Sequence, residues 1–160
     1  MIKDDLKSQT CNSITYIMDE QFLTSDVTRI TGVKRNRLQV WLDKGWITPS
    51  IQKAQGQGTR NIFSLHDLYV IALFRKLVEI GVPRKFVGIC TQKFQEQPLL
   101  GLFLKSDNYC WFDIYRTGEG EFESELIFQP DAGKRDSLDC YDMVGINIAK
   151  FAREIDLEIE

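Results

Sequence analysis

The sequence has little of the residues that build metal centres. It holds one histidine, His66, and four cysteines, Cys11, Cys90, Cys110 and Cys140, which lie far apart along the chain. Structural zinc sites usually take ligands in closely spaced pairs, because two ligands must leave one turn toward the same ion. We therefore expect free thiols and no metal site. We expect His66 to be an exposed polar residue near the start of a helix.

Other absences narrow the class of protein. No run approaches the roughly 18 apolar residues that cross a bilayer, and no signal-peptide core follows the polar residues 1–5. A cytoplasmic protein without membrane contact is therefore expected. The sequence also has no phosphate-cradling glycine loop, Rossmann fingerprint or nucleophile–base pair. We expect neither an enzyme nor a bound cofactor.

The charge is distributed unevenly along the chain. The net charge is −3, which by itself argues against a nucleic-acid partner. Residues 24–94, however, hold 12 basic and 4 acidic side chains, whereas residues 95–160 hold 6 basic and 15 acidic ones. A cationic block beside an acidic segment indicates one surface for a polyanion and a second domain with a different task.

The cationic block begins with a helix-turn-helix pattern. Residues 24–26 (TSD) are N-cap residues ahead of a short helix, and Gly32 permits a tight reversal after it. A second helix from Lys34 to about Lys44 buries Leu38 and Trp41, and a glycine ends it. Two short helices around a glycine turn form the outline of a helix-turn-helix.

A wing and two longer helices are predicted next. Residues 52–60 have no hydrophobic period and hold two glycines, which favours a short β-hairpin closed by Ile62 and Phe63. Ser64 and Asp67 suit a capping box at the start of the longest helix, which is apolar nearly all round and so must be covered on more than one side. Pro83 suits the first turn of a fourth helix that runs to about residue 94.

The pattern changes after Pro98. Residues 100–104 and 110–115 predict a hairpin, and the alternation of residues 121–126 predicts a strand with one wet, acidic face. A divalent-ion site or a catalytic pair is the alternative for these acids, but no ligand-shaped loop accompanies them. Residues 143–148 predict a further strand before a final helix, residues 149–155. The expected fold class is α+β, with a lead-in over residues 1–23 that is partly disordered and carries a short strand near Ile14, Tyr16 and Ile17. A winged helix-turn-helix domain (residues 24–96) and an acidic α+β domain with antiparallel strands (residues 97–160) follow.

Four segments of the block resemble MerR-type transcriptional regulators. Residues 22–33 (FLTSDVTRITGV) resemble the first helix and turn of that family. Residues 38–49 (LQVWLDKGWITP) look like its recognition helix and the start of its wing, with the aromatic, glycine and proline in register. Residues 59–64 (TRNIFS) resemble the wing arginine and aromatic, and residues 77–82 (LVEIGV) resemble the close of the third helix.

Two departures from the family concern its function. Gln39 and Val40 stand where the family typically has an arginine and an aromatic residue, which affects base preference. Pro98 and strand-like sequence occupy the place of the family's long dimerisation helix. The resemblance implies a sequence-specific regulator that binds double-stranded DNA as a homodimer. RNA polymerase or another protein as a partner of the C-terminal domain, and an effector ligand for it, are left open.

The predicted DNA contacts lie on three segments. Arg37 can pair with a guanine edge and Gln39 with adenine, while Val40 can touch a thymine methyl group. Lys53 and Arg60 would hold phosphate or the minor groove from the wing. The complete predicted set is Thr24, Ser25, Lys34, Arg35, Asn36, Arg37, Gln39, Val40, Lys44, Lys53 and Arg60.

The sequence also allows purely structural roles for these residues, and it allows two other functions for the chain. The cations can be solvated surface residues, Lys44 can merely oppose the helix dipole, and Trp41, Trp46 and Phe63 fit a core better than a stacking surface. The chain can also be an excisionase-like architectural protein that bends DNA. A third alternative is a protein-interaction or ligand-receptor module that keeps the winged-helix scaffold.

Overall fold

The computed structural model describes residues 20–96, 110–117, 119, 121–128 and 140–159. They belong to two compact units, one on each side of residues 97–109. The chain is a mixed α+β protein, as predicted. Among the described residues, every helix is too short or too polar to cross a bilayer.

The first unit begins with the helix-turn-helix. Strand β1 (Phe22–Leu23) leads into helix α1 (Thr24–Thr31), and helix α2 spans Arg35–Asp43. The N-cap position of α1 falls on Leu23, one residue earlier than predicted, and Asp26 Oδ2 accepts a hydrogen bond of 2.9 Å from the Leu23 amide. The turn places Gly32 at a φ of 65°, a left-handed conformation that glycine adopts without strain.

The wing, residues 52–62, is a hairpin as predicted. The amides of Gln52 and Ile62 donate to each other's carbonyls at 3.1 and 2.8 Å. At the tip, Thr59 Oγ1 accepts from the Gln55 amide and donates to the Gly56 carbonyl. Strand β2 (Ile62–Phe63) also pairs antiparallel with β1. The wing is therefore tied directly to the strand that precedes α1.

Helix α3 (Leu65–Glu79) carries the core of this unit. Its capping box is confirmed, because the Asp67 amide donates to Ser64 Oγ and the Ser64 amide donates to Asp67 Oδ2. The helix packs against α1, β2 and helix α4 (Arg84–Gln95), which explains why it is apolar nearly all round. The ring of Phe74 packs against that of Trp41, with centroids 4.2 Å apart and the ring planes tilted by 36°.

Helix α4 holds the segment between α2 and the wing. Gln92 Nε2 donates to the Gly45 carbonyl at 3.1 Å, and Gln95 Nε2 donates to the Thr48 carbonyl at 3.0 Å. Gly88 lies against the indole of Trp46, where an added Cβ would come within 2.5 Å of the ring. Both carbonyls belong to the segment that follows α2, so these contacts fix the path of the chain from α2 to the wing.

The second unit is an antiparallel sheet with one helix. Strands β3 (Cys110–Thr117), β4 (Phe122–Phe128) and β5 (Cys140–Asn147) are ordered β4-β3-β5, and helix α5 spans Ile148–Ile159. Glu121 and Glu123 are exposed, as the predicted wet face requires. Helix α5 buries Ile148, Ala152 and Ile155 on one face, a spacing that fits an amphipathic helix.

The prediction for His66 is wrong, and two other predictions concern residues that the structure does not describe. His66 is not exposed: it is half-buried, and its Nε2 lies 3.1 Å from the Phe94 carbonyl, where it donates in the neutral ring. Burial lowers the pKa of His66 below 6.5, although the Phe94 carbonyl and Asp67 oppose this shift. The strand expected near residues 14–17 and the first arm of the expected hairpin, residues 100–104, lie outside the described residues. The second arm, residues 110–115, lies in β3, and β3 pairs with β4 along one edge and with β5 along the other.

Candidate nucleic-acid interface

The outer face of α2 is the centre of the candidate interface. Leu38, Trp41 and Leu42 are buried against the rest of the unit. Because these three residues define the buried side of the helix, six predicted contact residues face the solvent, and Val40 keeps 50 % of its surface exposed. An exposed apolar side chain in the middle of a polar helix face suits contact with a methyl group. The six exposed residues are Lys34, Arg35, Asn36, Arg37, Gln39 and Val40.

A first groove lies between α1, the start of α2 and the wing. Its volume is about 390 Å³. Four residues of the predicted set meet there, although they come from three separate segments. The lining consists of Leu23, Thr24, Ser25, Thr28, Arg35, Arg60 and Asn61. Two guanidinium groups beside the amino-terminal end of α1 make this groove attractive for an anion, because the helix dipole is positive at that end.

A second groove runs along the other part of α2. Its volume is about 410 Å³, and its apolar lining is Val40, Trp41, Trp46 and Val78. Its polar lining is Asn36, Arg37, Lys44 and Arg84. The two grooves share no residue, so the exposed face of α2 has a cationic groove at its amino-terminal end and another along its length. An apolar floor with a cationic rim suits a sugar–phosphate backbone, whose sugars are apolar and whose phosphates are anionic.

The wing places its two predicted cations differently. Both Lys53 and Arg60 are exposed, but only Arg60 lines a groove. Arg60 has a fixed backbone, since its carbonyl accepts from Gln52 Nε2 at 3.1 Å and Asn61 Oδ1 accepts from the Ala54 amide at 2.7 Å. The structure therefore brings Arg60 together with Arg35. It leaves Lys53, like Lys34 and Gln39, outside both grooves.

Three polar residues that line the grooves were not in the predicted set. Thr28 and Asn61 line the first groove, and Arg84 lines the second. Asn61 follows the wing arginine directly and Arg84 follows Pro83 at the start of α4, so both lie in the cationic block. No local pattern in the sequence places Arg84 beside α2, because α2 and α4 are separated by the wing and α3.

Gln39 has a partner on its own helix. Its Nε2 donates to Asp43 Oδ1 at 2.8 Å, one turn further along α2. Side chains four residues apart on a helix lie on the same face, which allows this contact. Asp43 is thus an exposed carboxylate beside Gln39 on α2, and it was not among the predicted contact residues.

Comparison with known proteins shows what the segment that carries this interface is similar to. Residues 22–86 match the model of the MerR HTH family regulatory proteins. Uncharacterized HTH-type transcriptional regulators of Mycobacterium bovis and Mycobacterium tuberculosis are each 23 % identical to the chain over 106 residues. That match takes in 59 % of this chain and 47 % of each relative, so the chain spans about half the length of the curated relatives it matches. The two helices, the glycine turn, the wing and the residues that line the two grooves around α2 all lie within residues 22–86, the segment that matches the MerR HTH family model.

Proposed function

We propose that the protein is a sequence-specific transcriptional regulator that binds double-stranded DNA through the exposed face of α2. The observation that carries the proposal is the two cationic grooves beside that face. Arg35 and Arg60 line the first groove, and Arg37, Lys44 and Arg84 line the second. An α-helix fits the major groove of B-DNA, and phosphates would then lie on both sides of it.

The arrangement separates two kinds of contact. Of the groove cations, Arg35, Lys44, Arg60 and Arg84 are assigned to phosphates, and these contacts position the protein but carry no sequence information. Base reading is assigned to the exposed side chains of α2, with Arg37 directed to a guanine edge, Gln39 to adenine and Val40 to a thymine methyl group. This division predicts different consequences for substitutions in the two classes.

Hydrogen bonds from other elements also fix the segments before and after α2. Arg75 Nη1 donates to the Thr31 carbonyl at the end of α1, at 2.7 Å. The glutamines of α4 hold the segment that joins α2 to the wing, and β1–β2 pairing holds the wing itself. Contacts at both ends of α2 keep its exposed face and Arg60 in one arrangement, so that less conformational entropy is lost on binding.

For the second unit, we propose a role as an effector or dimerisation domain. Its sequence is strongly acidic, and Glu121 and Glu123 are exposed on one edge of its sheet. An acidic surface is repelled by phosphates, which favours a role away from the DNA. We propose a homodimer, for which two half-sites related by a twofold axis are expected in the bound DNA.

The test is selection from a random duplex library, followed by titration of the selected duplex and a scrambled one at two salt concentrations. Arg37→Ala is expected to weaken binding to the selected duplex about 5- to 150-fold and to relax preference at one position. Arg60→Ala is expected to weaken both duplexes alike and to lower the salt slope by about 1.

Lys76→Ala is the matched control, because this exposed lysine of α3 lies outside both grooves and the variant removes the same charge. Arg37→Ala, Gln39→Ala and Arg60→Ala variants that all bind like the wild type would contradict the proposal. So would recovery of one stoichiometric protein partner without any salt-sensitive affinity for DNA. Selected sequences with inverted half-sites would support the homodimer, and a single half-site would count against it.

A further inference from the structure

We infer that Asp43 is a positioning residue that makes Gln39 select adenine over guanine. The inference rests on the proposed function, since it concerns how the exposed face of α2 reads bases. It starts from the 2.8 Å hydrogen bond between Gln39 Nε2 and Asp43 Oδ1.

The carboxylate decides which way the Gln39 amide faces. An ionised carboxylate only accepts hydrogen bonds, whereas a glutamine amide has a donor nitrogen and an acceptor oxygen. Only the nitrogen of Gln39 can therefore face Asp43. One N–H is used in that contact, and the other N–H and the oxygen remain available beyond it.

The remaining pair of groups matches adenine. In the major groove adenine presents the N7 acceptor and the N6 donor, which pair with one amide N–H and one amide oxygen. Guanine presents two acceptors, N7 and O6. A glutamine without a partner can turn both N–H groups toward them. Gln39 cannot do so while Asp43 holds one, and its oxygen would then face an acceptor.

Helix stability gives no net reason for an acid at this position. Asp43 is the last residue of α2, where a negative charge interacts unfavourably with the helix dipole. The contact with Gln39 stabilises an exposed helix by a somewhat smaller amount and so offsets part of this cost. A carboxylate near phosphates also opposes DNA binding in general. These costs are consistent with a role in selectivity.

The experiment measures base preference at one position of the selected duplex. Gln39→Ala first identifies the position that Gln39 reads, where adenine is expected in the wild-type selection. The four base pairs at that position are then titrated with the wild type and with Asp43→Ala. We expect Asp43→Ala to lower the preference for adenine over guanine about fivefold or more, and to bind scrambled duplex as tightly as the wild type or more tightly.

Two further variants separate positioning from charge. Asp43→Asn keeps an oxygen that can accept from Gln39, but its amide N–H can also face Gln39 and turn the glutamine around. We therefore expect its preference for adenine over guanine to lie between those of the wild type and Asp43→Ala. Glu96→Ala removes the same charge from an exposed residue outside both grooves, and its ratio should equal that of the wild type. Thermal melting of Asp43→Ala is expected at or above the wild-type temperature, which excludes a loss of fold.

The possible outcomes are distinguishable. A wild-type protein that selects no sequence would overturn the proposed function itself. If the wild type selects a sequence but Gln39→Ala changes no position, or the base at that position is not adenine, the inference about Asp43 is wrong. It is also wrong if Asp43→Ala keeps the wild-type ratio of adenine to guanine, and in these cases the regulatory function stands.

Discussion

Asp67→Ala tests how a buried carboxylate joins the wing to the core. Asp67 is 1 % exposed, and its Oδ2 accepts from the amides of Ser50 and Ser64, both at 2.9 Å. The Ser50 hydroxyl lies 2.8 Å from the same oxygen and 2.8 Å from Ser64 Oγ. One carboxylate thus caps α3 and anchors the residue from which the wing departs.

The loss can be estimated from these contacts. A hydrogen bond to a charged group contributes about 1.5–3 kcal/mol, and the buried Ser64 amide would lose its acceptor entirely. Ser50 is exposed, so water replaces part of its contact and about 1 kcal/mol is lost there. We expect Asp67→Ala to lower the free energy of unfolding of the first unit by about 3 kcal/mol, which corresponds to a melting temperature lower by about 12–24 °C for a unit of this size.

Denaturant unfolding and amide hydrogen exchange check this estimate. Ser50→Ala and Ser64→Ala are the controls, each expected to cost about 1 kcal/mol because the backbone contacts of Asp67 remain. Exchange at Gln52 and Ile62 should accelerate in Asp67→Ala, since the wing loses its anchor. An Asp67→Ala protein no less stable than Ser50→Ala, or with unchanged exchange in the wing, would refute the reasoning.

Three further predictions concern the packing of α3 and α4. Gly88→Ala places a Cβ within 2.5 Å of the Trp46 ring, so we expect a loss of about 1–3 kcal/mol in denaturant unfolding; an unchanged stability would show that the indole moves freely. Arg75→Ala removes the donor to the Thr31 carbonyl, and a loss of about 1 kcal/mol is expected in the same assay, with Arg75→Lys restoring part of it. Burial lowers the pKa of His66 in the folded state, so protonation of this side chain favours unfolding. The stability that neutral His66 contributes is therefore complete above about pH 6.5 and is lost as the pH falls through the folded-state pKa. Between about pH 7 and pH 5, the free energy of unfolding should depend less on pH in His66→Gln than in the wild type. The same pH dependence in the two proteins would contradict this assignment.

The local elements of the first unit were predictable because their signals act over a few residues. The glycine after α1, the Ser64–Asp67 capping box and the apolar spacing of α2 depend on neighbours within one turn. The N-cap of α1 was misplaced by one residue because Asp26 caps from inside the helix rather than in front of it. The environment of His66 was misjudged because its partner, the Phe94 carbonyl, lies on another helix.

The sequence by itself determined the helix-turn-helix, the wing, the strands of the acidic unit and the block of positive charge, since all of these follow from short-range periodicity and composition. Only the tertiary structure decided which cations share a groove. Arg35 meets Arg60 because β1–β2 pairing returns the wing to α1, and Arg84 lies beside α2 because α4 packs on α3. Contacts between segments so far apart depend on the packing of the whole domain, which no local pattern encodes.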